Sequence, residues 1–448
     1  MTQPNFNLSA MGSYPAEDGG LLDLWDTQRG PQWLFAVGFE QWHVWNGTHW
    51  HPDPGGYTLA AKIETMLNTW RQTALRRKGA AKTKAEIRQW EEYAAAGRRT
   101  RARISSIEAM ARARRAIPAD SLDAADMLNL QNGTFHFESE TLQPHNPADR
   151  LTYCLPYEYS PAAVAPNWHS FLSRIDADTA AFLQEFAGYS LTPDCRHEIA
   201  VWLYGPPGGG KSTFLGGLQA VLGPKAMNLG LADIERNRFS LANLPGKTLA
   251  VATEQPSDFL ASTHILNAVI SGEPVTVDRK YAPAIDITPR AKLAWGLNEL
   301  PRVKGTNDGI FRRVKIAEFP AIPEGERKPD MKERIQAEAA GILNWALEGL
   351  QRLRTRGRFV IPAAIEQASR EFATRNDIPA VFVEECCDTG PALYVQSQHL
   401  YSRYWQWCMD TGHKPLSTTS IANEWRRLGF TKRKTTAGMI WEGVDLKP

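Results

Sequence analysis

Long apolar runs, paired cysteines and a strong overall charge of either sign are missing from this 448-residue sequence. No apolar stretch approaches the ~18–20 residues that a bilayer-spanning helix needs, so no membrane association is expected. The opening residues, MTQPNFNLSAMG, lack the basic-then-apolar pattern of a secretion signal. Five cysteines (Cys154, Cys195, Cys386, Cys387 and Cys408) are scattered without Cys-x-x-Cys spacing. That argues against a zinc site or disulfide framework and points to a reducing, cytoplasmic compartment. What is present is an ordinary globular composition, 43% apolar and 22% charged, in a chain long enough for two or three domains. Fifteen tryptophans are more than usual and suggest large aromatic cores or stacking surfaces.

The net charge of +2 conceals an asymmetry. Between Arg71 and Arg115 there are 14 Lys/Arg against four acids, Glu86, Glu91, Glu92 and Glu108. Such a block either attracts nucleic acid or is the solvated face of helices. Residues 33–52, with Trp and Val flanking Asn46-Gly47, predict a β-hairpin turning at that dipeptide. Its histidines His43, His49 and His51 lack a carboxylate or thiol at ligand spacing and are expected to pack across the strands. Residues 57–117 read as helical with breaks near Gly79 and Gly97, and residues 128–145 as a second hairpin turning at Asn132-Gly133. A Pro-rich stretch near 160–168 reads as a linker. From Ile199 to Asn298, the near-continuous apolar segments IAVWLY, TLAVAT and KLAWGL alternate with helical patterns, as the buried strands of an α/β sheet require. The chain then turns helical after about 353 and ends in a hairpin at Ala437-Gly438. The expected division is 1–185, a mixed α+β region; 186–352, the α/β core; and 353–448, a small C-terminal domain.

The most specific signal is YGPPGGGKST. Gly205, Pro206, Pro207, Gly208, Gly209, Gly210, Lys211, Ser212 and Thr213 satisfy the whole G-x-x-x-x-G-K-[ST] pattern. An apolar strand precedes it and an amphipathic helix follows, stopped by Gly223-Pro224. Glycines let backbone N–H groups approach phosphate, and the helix start adds its positive end. Lys211 is expected to reach the β/γ-phosphates of ATP and the Ser212 hydroxyl to ligate Mg²⁺. TLAVATEQ carries Glu254 near its end, 43 residues after Lys211, where a carboxylate can polarise water or hold magnesium. Thr253 stands where many ATPases carry a second acid, so the split between these roles stays open. KLAWGLNELP places Asn298 at the end of a third strand, suited to touch the γ-phosphate or the attacking water. Arg312 and Arg313 follow, with no reason to be buried beside their own loop. One of them, delivered from a neighbouring subunit, would neutralise charge on the transferring phosphate. Between Glu254 and Asn298, a β-patterned hairpin would present Arg279, Lys280 and Tyr281, two cations for phosphates and an aromatic for a base or sugar.

In that order and compact spacing, YGPPGGGKSTFL, RFSLANLPGKTLAVATEQ, ISGEPVTVDRKY, AKLAWGLNELP and DGIFRRV resemble the superfamily 3 helicases of the phage, plasmid and poxvirus-type primase-helicase family. Upstream, LNLQNGTFHFESETLQPHNPADRLT and FLQEFAGYSLT resemble that family's helicase-associated region. The resemblance implies an AAA+-like hexameric ring threading a DNA strand. Lys211, Ser212, Glu254 and Asn298 would serve ATP within one subunit. One arginine of the 312/313 pair, Arg313 by preference, would act in trans, and Arg279 and Lys280 would lie on a channel hairpin. The C-terminal STTSIANEWRRLGFTKRKTTAGMIWEGVDL resembles a small winged-helix module, with Arg426-Arg427 on a helix and Lys432, Arg433 and Lys434 on the wing.

Only 204 residues precede Gly205 of the loop, and they show no acidic cluster typical of nucleotidyl transfer. The chain is therefore read as a helicase without its own primase, partnered by a separate primase or initiator. Single-stranded and forked DNA would be its substrates, in a bacterial or phage-infected cell. The competing expectations are an AAA+ initiator or loader that remodels origin DNA or a partner without processive unwinding, and a DNA-binding module whose ATPase is an assembly switch.

Overall fold

The computed structural model describes residues 6–236, 239–253, 263–280, 282–303, 308–436 and 438–447. The chain is mixed α/β, built around one parallel five-stranded sheet. None of the helices among the described residues is long and apolar enough to cross a membrane.

The N-terminal part sets helix Asp18–Gln28 against a small sheet and three helices, Tyr57–Ala80, Lys84–Ala96 and Arg101–Arg114. The helices break where the two glycines suggested. At the first break, Thr83 and Glu86 form a reciprocal capping box that satisfies otherwise orphaned N–H groups. Trp70 is fully buried, stacks on Tyr93 at 5.4 Å and donates its indole N–H to the Tyr93 carbonyl. Two turns differ from expectation. Residues 33–52 make three strands, Trp33–Val37, Gln41–Trp45 and Trp50–Asp53. Asn46 lies in a four-residue loop, because its side-chain oxygen accepts from Thr48 N and His49 N, an Asx geometry that replaces the tight turn. In the second hairpin, Leu130 pairs with Gly133. The turn is thus Gln131-Asn132, one residue earlier, and the Asn132 side chain ties to Tyr159 instead.

Part of the basic block is answered from within the chain. Arg103 pairs with Asp18 at 2.7 Å, Arg114 with Asp23 at 2.7 Å, and Arg115 with Asp26. All three acids lie on helix Asp18–Gln28, which the basic helix Arg101–Arg114 crosses. Neither sequence reading foresaw an acidic partner helix.

The central sheet runs Val314–Glu318, Ala200–Tyr204, Lys292–Leu297, Leu249–Ala252, Ala226–Asn228, every pair parallel. In chain order this is fifth, first, fourth, third, second. The strand preceding the glycine-rich loop is therefore flanked on both sides, and its end opens at the carboxyl edge of the sheet, where open α/β sheets bind ligands.

The expected boundaries at 185/186 and 352/353 fall inside helices Ala177–Ser190 and Ala339–Arg356. These two helices pack on each other, and the core runs without interruption from Leu128 to Ile365. The Pro-rich stretch is likewise no free linker. It feeds helix Pro166–Leu172, whose Trp168 is fully buried against Phe214 of the loop helix at 5.2 Å. After Ile378 a separate core forms from three helices and an antiparallel sheet of Cys387–Gln396, Gly438–Leu446 and Thr431–Thr435. The expected terminal hairpin is there. Thr435 pairs with Gly438, and Ala437 lies outside the described residues.

The Ala177–Ser190 and Ala339–Arg356 helices approach so closely that a Cβ on Gly188 would meet the Ala346 carbonyl at 2.3 Å, and one on Gly349 the Gln184 carbonyl at 2.3 Å. Buried Glu185, held by Arg352 at 2.7 Å and by Arg356, locks the pair. Gly188→Ala or Gly349→Ala should each cost about 1–3 kcal/mol through overpacking, read as a lower urea midpoint with an unchanged m-value.

Candidate nucleotide-binding site

The strand Ala200–Tyr204 ends in the glycine-rich loop, and helix Lys211–Leu222 begins directly after it. The glycines are required by geometry. Gly205 has φ +151°, and a Cβ there would sit 2.2 Å from the Phe319 carbonyl. Gly210, the helix N-cap, has φ +89°, and its Cβ would strike the Phe171 ring at 2.6 Å. Both positions are close backbone approaches that only glycine allows. Lys211 is 6% exposed, and its Nζ donates to the Gly205 carbonyl at 2.7 Å and the Pro206 carbonyl at 2.9 Å. Burial pushes its ammonium below the usual lysine range. Beneath it lies Gly296 of the neighbouring strand, where a Cβ would come 3.5 Å from the Lys211 Cβ.

A cavity of about 530 Å³ opens over this loop. Pro207, Gly208, Gly209, Gly210, Lys211, Ser212 and Thr213 line it together with Thr253 and Asn298. Asn298 is exposed and follows Leu297, whose carbonyl accepts from Gly205 N. The sheet thus brings Asn298 to the loop. Glu254 and Tyr281 lie outside the described residues. The cavity also contains residues that the sequence reading did not single out, namely Phe171, Arg174, Arg327 and Lys328. No local pattern marks them. Phe171 and Arg174 come from before the sheet and Arg327 and Lys328 from after it, so only the closed fold reveals them. A larger cavity, about 720 Å³ and lined by Arg312, Lys315, Arg370 and Arg427, does not include the glycine-rich loop.

The two arginines of FRRV behave differently from expectation. Arg313 is buried at 8% exposure. It is held by Glu198 at 2.6 Å, the Ser271 hydroxyl at 3.0 Å and the Gly309 carbonyl at 3.1 Å. Its neighbour Arg312 has a side chain 67% exposed and touches Glu198 only at 3.4 Å. Both precede Val314, which pairs with Ala200. They stand at the amino edge of the sheet, one full strand from the loop, roughly 16 Å away at about 3.3 Å per residue. Neither reaches its own loop. Arg279 and Lys280 lie on the expected hairpin, Val275–Arg279 paired with Ala282–Ile287. There, Lys280 is exposed at the tip and Arg279 Nε donates to the Pro283 carbonyl at 3.1 Å.

Three protein-family models match successive parts of the chain. They are "D5 N terminal like" over residues 21–176, a family of unknown function over 203–313, and "Poxvirus D5 protein-like" over 374–442. The D5-type matches at both ends of the chain support a likeness to the phage and poxvirus-type primase-helicase family. A putative helicase of Acanthamoeba polyphaga mimivirus, L207/L206, is 22% identical to this chain over 324 residues, 64% of the chain. The chain spans about a third of that relative's length, 34%. The solved apo structure of the NrS-1 C-terminal region shares its fold end to end, with a TM-score of 0.51 at 11% identity, covering 96% of this chain and 99% of that one.

The burial of Arg313 makes it part of the structure. Arg313→Ala should lower unfolding free energy by about 1–3 kcal/mol, since it strips charge-assisted bonds from a nearly buried group. Arg312→Ala should leave the denaturation midpoint within error. Equal effects of the two substitutions in chemical denaturation would contradict these settings.

Proposed function

We propose that this protein is an ATP-dependent DNA helicase that works as a homo-hexameric ring on single-stranded and forked DNA during replication of a phage, plasmid or mobile element. In this reading it acts in the cytoplasm of a bacterial or infected cell, beside a separate primase or initiator. The observation that carries the reading is the separation between the glycine-rich loop at the carboxyl edge of the sheet and Arg312 at the amino edge. A protomer so built offers phosphate-binding groups on one side and an exposed guanidinium on the other, and it completes a site only with a neighbour. The strand order, with the loop strand between the fifth and fourth strands, supports an AAA+-like P-loop core. The helix–strand–helix–helix–hairpin order after Ile378 supports a winged-helix-like C-terminal domain.

The loop fits a nucleoside triphosphate with magnesium, because its glycine cradle and buried ammonium converge on one cavity with the exposed Ser212 hydroxyl. ATP would supply a cleavable phosphoanhydride. Lys211 would exchange its two backbone carbonyls for β/γ-phosphate oxygens by rotating its side chain. Ser212 Oγ would hold magnesium, with Glu254 as the carboxylate of the site, and Asn298 would orient the attacking water. Arg312 takes the trans role in place of Arg313, which instead anchors the turn before the fifth strand through Glu198. Arg279 and Lys280, on the hairpin, would grip the strand's phosphates.

The deciding experiment is ATP-driven displacement of a strand from a forked duplex, with a sizing run with and without nucleotide. Unwinding by a ring-sized species is expected, and Lys211→Ala should abolish it together with hydrolysis. Hydrolysis without displacement on any tailed or forked substrate would favour an initiator or loader. Mixing Arg312→Ala with Lys211→Ala protein should restore part of the ATPase at shared interfaces, and no rescue in demonstrably mixed rings would remove Arg312 from the trans role. Replacing both Arg279 and Lys280 with Ala should make the log–log salt dependence of single-strand binding shallower by about 1.4, two phosphate contacts at ~0.7 each.

A further inference from the structure

The cavity over the loop contains one arginine whose surroundings differ from those of its neighbours. Away from the cavity, Arg312 and Arg313 both meet Glu198; within it, Arg174 is paired with Glu326 at 2.7 Å. Arg327, the next residue along, has no carboxylate partner among the described residues. Its Nε donates to the Ile322 carbonyl at 3.0 Å. That bond fixes one edge of the guanidinium plane and leaves both Nη groups unengaged among the described residues. Glu326 is the one acid among the described residues lining the cavity, and its commitment to Arg174 leaves Arg327, Lys328 and Lys211 as an unbalanced positive group. Cations converging on one concavity repel each other unless an anion sits between them.

Arg327 is also aimed at the loop itself. A Cβ on Gly208 would meet Arg327 Nη2 at 2.8 Å and Cζ at 2.9 Å, and Gly208 has φ +78°. The side chain missing at Gly208 is thus replaced by a guanidinium lying on the loop backbone. Lys211, at the start of the helix, reaches the β/γ junction of a bound triphosphate. Gly208 lies three residues earlier, so a group over it stands beside the outer phosphates.

We propose that Arg327 is a second phosphate-gripping cation supplied by the same subunit, a planar fork on the terminal phosphate through which the site tells a nucleoside triphosphate from a diphosphate. The inference rests on the nucleotide reading above and adds its cis recognition of the γ-phosphate. Two parallel N–H···O bonds from a guanidinium to one phosphate are strong and geometry-specific, and a lysine ammonium does not reproduce them. The Arg174–Glu326 pair acts as the positioning element, holding the turn Glu324–Glu326 against the N-terminal side of the cavity so that Arg327 faces the loop.

The test is titration of the full chain with fluorescent ATP and ADP analogues plus magnesium, for the wild type and for Arg327→Ala, Arg327→Lys and Lys211→Ala. Arg327→Ala should weaken the triphosphate analogue about tenfold and the diphosphate analogue about twofold or less, and Arg327→Lys should recover only part of the loss. Equal weakening of both analogues, or none, overturns the proposal. Wild-type protein that binds neither analogue, or Lys211→Ala that binds both as tightly as wild type, would overturn the nucleotide reading and this inference together. Thermal melting checks that Arg327→Ala retains the fold. Should it not, Arg327→Gln, closer in size and neutral, is read by the same ratio of triphosphate to diphosphate affinity.

Discussion

The close approach of the Gly205 backbone to the strand end at Phe319 fixes the rest of the molecule's arrangement. Tyr204 accepts from Phe319 N at 2.7 Å and Gly205 N donates to Leu297 at 3.2 Å, so the loop leaves the sheet gripped by strand ends on both sides. No Cβ fits at Gly205. Once the exit of the loop is fixed, the start of helix Lys211–Leu222 is fixed too, and with it the direction in which its first N–H groups point. Phe171 closes over Gly210 from above, and Trp168 stacks on Phe214 one turn into the helix. A glycine-rich loop of this shape therefore depends on a segment some forty residues upstream as much as on its own glycines.

That dependence explains which parts of the structure the sequence makes legible. Strand, loop and helix around Lys211 follow from local rules, since glycines, apolar alternation and a helix stop act within a few residues of one another. The hairpin of Arg279 and the breaks at 81–83 and 97–100 are local in the same sense. The domain edges are not. Gly188 and Gly349 hold two helices together across the expected boundaries, and close glycine contacts leave no hydrophobic periodicity that would reveal the partner. Arg313 is illegible for a related reason. Its partners Glu198 and Ser271 come from a distant loop and a distant helix end, and nothing beside FRRV announces an acid receptor. Asn46 and Asn132 show the limit at short range, where a side-chain oxygen that accepts backbone N–H groups shifts a turn by a residue or more.

Charge follows the same logic. The segment 71–115 looks like a nucleic-acid surface when its own residues are counted, yet Asp18, Asp23 and Asp26 answer three of its arginines. In the C-terminal unit, Arg427 is committed to Asp377 and Glu424 and Arg433 to Glu442. Arg426 and Lys432 lie over the Trp441 ring. A cation already paired by a carboxylate offers little to a phosphate, because the exchange must first break an ion pair. Among the cations left for DNA in the proposed reading, Lys280 stands exposed at its hairpin tip.

Separating the loop from Arg312 by the length of a strand has a geometric consequence. Under the proposed reading, each protomer carries half a site on one edge of its sheet and the complementary half on the other. Two such protomers cannot satisfy each other by a two-fold contact that uses one patch twice. The contact is head to tail, and head-to-tail contacts either close into a ring or run on as a filament. Buried Arg313 contributes by rigidity, since its bonds to Glu198, Ser271 and Gly309 tie the start of the fifth strand to the rest of the protomer. A change in the phosphate chain of one subunit is then felt at the neighbour's Arg312, which is mounted directly before that strand. Because the fifth strand is hydrogen-bonded along its length to the strand that carries the loop, displacement at the amino edge is transmitted to the carboxyl edge of the same sheet. Under that reading, the parallel sheet would couple one nucleotide site to the next through its hydrogen-bonded strands.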